Sequence, residues 1–226
     1  MSIKLVNQPR VESILDREGL DGLVVVNPIN FYYFSGYWGF FNTPTGFDGS
    51  YFSVLPRDSD KKPSMVIPAL EIRRIETKGR PWIKDIFAYT SDGDGSSFDD
   101  NSPKGMDYEG WPINQTAKLT QREKNWKKIV EDFKDSYNEN SFQALVRAIK
   151  SSHLDGKKIL IDDLRIERWL EKEKKLNIEC IYKPHLFNEM RMVKTENEIK
   201  ILKKAAIINE EAMLSSINFM QEGLKW

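Results

Sequence analysis

Thiol and imidazole are scarce in this chain. Its 226 residues hold one cysteine, Cys180, and two histidines, His153 and His185. A single thiol excludes an intramolecular disulfide and any multi-cysteine zinc site. The histidines form no HxH or HExxH pattern, so each reads as a structural or surface residue before a catalytic one. Charge of one sign is missing as well. Lys+Arg and Asp+Glu number 34 each, giving a formal net charge of zero, so no broad field draws the chain to nucleic acid or an acidic membrane. No apolar run approaches the roughly 20 residues of a membrane span. The opening MSIKLVNQPRVES lacks the apolar stretch of a signal peptide. A soluble, cytoplasmic protein is the expectation. Nucleophile elbows, Walker A loops and dinucleotide fingerprints are also absent.

What is present suffices for a core. Hydrophobic residues make up 40% and aromatics 12%, which rules out wholesale disorder. The length predicts one large domain, or one domain plus a piece of another. Val11, Ile14 and Leu15 share a helical face, with Gly19 placed as a C-terminal cap. Leu23 to Val26 reads as a strand covered on both faces. Tyr51–Leu55 and Met65–Ile67 flank a polar turn at 56–63 and read as a hairpin. A short helix near 70–75 and a strand near 86–89 follow. Residues 90–119 are rich in Gly, Ser, Asp and Asn without an apolar period, and read as a flexible insertion. Order resumes at Thr120, where Thr120 and Glu123 have capping-box spacing. Helices over about 120–133 and 141–150, a strand at 159–161, a helix holding Leu164, Trp169 and Leu170, and a strand through Ile178, Cys180 and Tyr182 complete the pattern. It predicts an α/β fold with a mixed β-sheet flanked by helices. Thr195 and Glu198 open a final long helix to about Met220. Its Ile199, Leu202, Ala206, Met213, Ile217 and Met220 form an apolar stripe that needs a covering surface.

Candidate chemistry is thin. Asp92-Gly93-Asp94-Gly95-Ser96 resembles the start of a calcium loop, but Ser97 and Pro103 stand where Gly and Glu are needed. Cys180 lies in a strand without an adjacent base and reads as a core residue. Of the pair Asp162-Asp163, the second is explained by helix capping as well as by catalysis. The feature above background is the aromatic run at 31–41. Eight aromatics in eleven positions cannot all face inward from one short helix and loop. Trp38, Phe40 and Phe41 are therefore expected to be exposed or to contact a partner.

Two stretches carry a family resemblance. GLDGLVVVNPINFYYFSGYW (19–38) resembles the opening of the creatinase/prolidase N-terminal domain. DGKKILIDD (155–163) with NEMRMVKTENEIKILKKAAIINEEAM (188–213) resembles that domain's end and the linker helix into the pita-bread catalytic domain. The resemblance implies the creatinase/prolidase N-terminal fold over 1–187. Residues 188–226 would then be the linker and first helix of a truncated catalytic domain. It implies a hydrolase class that includes aminopeptidase P, prolidase and creatinase, whose metal pair is held by the second domain, although some members work without metal. None of those ligands maps onto this chain, so it is expected to be inactive alone and to hold no cofactor itself. The resemblance further implies a homodimer in which this domain closes the partner subunit's active site. Trp38, Phe40 and Phe41 would form a wall, in trans, against a small-molecule or dipeptide substrate. Creatinase-like relatives carry an Arg shortly after these aromatics, and this chain has no Arg or Lys between Asn42 and Leu55. A stand-alone or pseudoenzyme binding module on the same fold is the alternative reading. The balanced charge disfavours a histone-binding version of it.

Overall fold

The computed structural model describes residues 4–40, 51–78, 81–91, 118–173, 176–220 and 223. The chain begins with α1 (Gln8–Arg17), β1 (Gly22–Val25) and α2 (Pro28–Ser35). The hairpin β2 (Phe52–Pro56) and β3 (Ser64–Pro68) leads to α3 (Glu71–Lys78) and β4 (Asp85–Ser91). Then come α4 (Gln121–Asp132), β5 (Tyr137–Asn140), α5 (Ser141–Ser151), β6 (Lys158–Ile161), α6 (Leu164–Glu173), β7 (Glu179–Tyr182), α7 (Pro184–Met192) and α8 (Glu196–Phe219). Thr90 and Ser91, expected in the insertion, complete β4. Residues 92–117 lie outside the described residues, and with them the Asp92–Ser96 run.

The strands form one sheet in the order β5-β4-β3-β2-β1-β6-β7. Only β2 runs against the rest: it pairs antiparallel with β1 and β3, and the other four pairings are parallel. Centrality explains the unbroken apolar run of β1. Leu23 and Val25 join the core under α1, α2 and α7, whereas Val24 and Val26 join the core under α5 and α6. The alternation follows from the period of two along a strand.

Local chemistry sets the boundaries. Asn7 caps α1, accepting from the Arg10 N–H at 3.4 Å. The helix closes with Gly19 N–H on Asp16 O (3.0 Å) and Leu20 N–H on Leu15 O (2.8 Å), the paired bonds of a left-handed C-terminal cap. Thr120 and Glu123 bond reciprocally at the start of α4, as their spacing predicts.

Two elements lie outside the sequence expectations. Strand β5 reads YNEN and has no apolar alternation. Its Asn138 amide donates to Ala88 O (3.0 Å) and Ser136 O (2.8 Å), and Asn140 caps α5 through the N–H groups of Phe142 and Gln143. Helix α7 straddles the expected boundary at 187/188, and its Leu186, Phe187 and Met190 are all in the core. Beyond it, α8 starts with the full Thr195/Glu198 capping box and runs 24 residues with none buried. Among the described residues no helix is long and apolar enough to cross a membrane.

Candidate functional site

The aromatic segment is placed by the end of β1. Asn27 accepts the Ile29 N–H at 3.0 Å and caps α2, with Pro28 in the first turn. Gly36 ends the helix in the left-handed region (φ 68°), returning its N–H to Tyr32 O at 2.8 Å. Ser35 Oγ donates to Phe31 O (2.6 Å) and accepts the Tyr37 N–H (3.0 Å), turning the chain out of the helix.

From there the segment is pinned by one carboxylate. Glu71, at the start of α3, is 0% exposed. It accepts the Tyr37 hydroxyl (2.6 Å), the Tyr51 hydroxyl (2.6 Å) and the Phe40 backbone N–H (2.5 Å). Arg74 Nε stands 3.3 Å from it, one helical turn on. Three hydrogen-bond donors, with a guanidinium beside them, surround a carboxylate that would be very costly to bury bare. Burial first, and the hydrogen bond to the Glu71 carboxylate second, push the Tyr37 hydroxyl pKa above its usual value. The segment passes so close to Tyr51 that a Cβ on Gly39 would sit 2.3 Å from the ring. Only glycine fits there.

The aromatics then divide. Phe31, Tyr33, Phe34 and Tyr37 are buried. Trp38 is half-buried, edge-on to Tyr32 with centroids 5.5 Å apart, and so less outward than expected. Phe40 is 59% exposed, with the Arg74 guanidinium 4.8 Å from its ring centre. Phe41 lies outside the described residues. Glu71, Arg74 and Tyr51 are absent from the sequence-derived candidates, and the one available signal was an acid just after the Pro68-Ala69-Leu70 turn.

A second carboxylate sits where β1 and β6 end side by side. The chain leaves β1 toward one face of the sheet and β6 toward the other, the geometry that opens a crevice in α/β sheets. Asp162 fills it, accepting the N–H groups of Val26 (2.9 Å) and Asn27 (3.0 Å) and the Asn30 amide (3.0 Å). Burial pushes its pKa up to about 6, against the pull of those donors. Asp163 instead caps α6 through the Arg165 N–H, and the Arg165 guanidinium holds its carboxyl below the usual range. Cys180 is partly buried, and desolvation raises its thiol to about 12, so it is protonated at neutral pH. His153 and His185 are both exposed. Among the described residues no three His, Cys, Asp or Glu side chains converge to hold a metal ion.

A mixed seven-stranded sheet with a single reversed strand, helices on both faces and an exposed last helix define the class of the fold as α/β. The family model for the creatinase/prolidase N-terminal domain matches residues 9–193, and the chain belongs to that family. The fold is similar to three solved structures. One is the prolidase from Pyrococcus horikoshii OT3, at 16% identity and a TM-score of 0.51. The others are a recombinant prolidase from Thermococcus sibiricus (20%, 0.52) and the Xaa-Pro dipeptidase from Bacillus anthracis (16%, 0.52). Each alignment covers 96% of this chain and 44% of the other, so the chain spans less than half the length of those proteins. At these identities the likeness is one of fold. No curated protein matches the chain.

Proposed function

We propose that this domain is the amino-terminal, non-catalytic part of a prolidase-like hydrolase, working in the cytoplasm as a homodimer. Its aromatic segment closes the active site of the partner subunit. Catalysis, and the divalent metal pair where one is used, belong to a second domain entered through α8. The fold family, and its likeness to solved prolidases and an Xaa-Pro dipeptidase, support Xaa-Pro dipeptides as substrates.

The observation that carries this reading is the Glu71 lock. A buried carboxylate that holds the backbone at Phe40 and the hydroxyls of Tyr37 and Tyr51 makes the neighbouring exposed ring a fixed surface. Fixed apolar rings exclude water and shape a pocket for a small substrate. Trp38, Phe40 and Phe41 are the wall in this reading. In the two-domain protein, Trp38→Ala and Phe40→Ala each lower kcat/KM for an Xaa-Pro dipeptide about tenfold, with the circular dichroism spectrum unchanged. Unaltered kcat/KM in both variants would remove the wall from the account.

A further inference from the structure

Next to the aromatic segment, on the other side of Tyr32, a cleft of about 460 Å³ runs between α2, α7 and the first turns of α8. Leu5, Ile29, Met192, Ile201 and Leu202 make its walls apolar. Its charged groups are two cations and one acid. Arg191 and Lys194 supply cations, and Asn188 presents an amide nitrogen because its oxygen accepts from Arg191 at 2.6 Å. The one acid in the lining, Glu198, has its carboxylate turned to the Thr195 N–H (2.8 Å) in the α8 capping box.

Neither cation forms an ion pair among the described residues: Arg191 donates to Asn188, and Lys194 to the Arg191 carbonyl. Arg191 is partly buried, and burial lowers the pKa of its guanidinium. Asp162 acts on it only at long range and spends its oxygens on Val26, Asn27 and Asn30. A cation that has lost water without gaining a carboxylate carries an uncompensated cost, which an arriving anion offsets. Guanidinium geometry favours a carboxylate that accepts two parallel N–H bonds. The volume lies within the range of small-molecule sites, and the walls require an apolar body.

We infer that this cleft binds a small amphipathic carboxylate, its acid group on Arg191 and Lys194 and its apolar body against Leu5, Ile29 and Leu202. This goes beyond the role proposed for the aromatic wall and does not depend on it, because none of the residues that would hold the ligand belongs to that wall.

The test uses the 226-residue chain with 4-phenylbutyrate as the probe and 4-phenylbutan-1-ol as its uncharged counterpart. Binding is followed by calorimetry and by NMR shifts at Ile29, Arg191 and Leu202. The acid is expected to bind saturably, at least tenfold tighter than the alcohol, and to weaken as salt is raised. Arg191→Met should abolish that preference and Arg191→Lys should restore part of it, with thermal unfolding of both variants unchanged. Equal affinity for acid and alcohol would overturn the inference. So would acid binding that survives Arg191→Met, an absence of saturable binding, or shifts confined to the exposed face of α8, which would mark adsorption to its apolar stripe.

Discussion

Glu71 and Asp162 are both acids in enclosed surroundings, and different groups donate to them. Glu71 accepts two hydroxyls and one backbone N–H, and the Arg74 guanidinium stands 3.3 Å away. Glu71→Ala leaves those donors unmet, and a loss of about 3–5 kcal/mol is expected in denaturant unfolding. Glu71→Gln keeps an acceptor and should cost about half as much. Asp162 has three donors but no cation bonded to it, and burial wins. Its folded pKa of about 6 lies above the ordinary 3.8, so the protonated form is favoured by folding. Stability from this group is full below pH 4 and lost as pH rises through about 6, by up to about 3 kcal/mol. Asp162→Asn removes that slope, so its stability relative to wild type should rise between pH 4 and 7 in urea titrations. A flat difference across that range would contradict the assignment. Neither role is legible in the sequence. Glu71 meets partners 34, 31 and 20 positions away, and Asp162 reaches back more than 130. An acid at a helix start reads as dipole compensation unless the fold brings distant donors to it.

Secondary elements were legible where burial imposed a period. The apolar run of β1, the hairpin of β2 and β3, and the capping boxes of α4 and α8 follow from side-chain pattern and local hydrogen bonding. Strand β5 was hidden because it is stabilised by buried asparagines in place of an alternating apolar face. Helix α7 was hidden by its brevity, since three core residues in nine give little periodicity. It nevertheless closes the core. Phe187 is 1% exposed and packs edge-on to Phe34 at 6.1 Å. Phe187→Ala should destabilise the domain by about 3–5 kcal/mol, measured as a lowered unfolding midpoint with an unchanged m-value. A loss below 1 kcal/mol would show that α7 belongs to the linker. Thr195→Ala should instead fray the first turn of α8, for about 1 kcal/mol, without moving the core transition. Hydrogen exchange at Glu198 would detect it.

At the scale of the molecule, the domain combines a closed body with an open arm. Both faces of the central sheet are covered, while Ile199, Leu202, Met213 and Ile217 on α8, and Met220 just beyond it, remain 41–68% exposed. With none of its residues buried, the helix gains little from tertiary contact among the described residues, and its apolar stripe is left uncovered there. The aromatic segment is the converse case, a surface fixed from within by Glu71. The most direct measurement of the proposed role is subunit complementation in the two-domain protein. A subunit carrying Trp38→Ala and Phe40→Ala is mixed with one whose wall is intact but whose catalytic domain is inactivated. Random pairing makes half of the dimers mixed, and each mixed dimer holds one complete site, so activity should recover to about a quarter of wild type. Activity that stays at the level of the unmixed variants would show that the wall does not act across the subunit boundary.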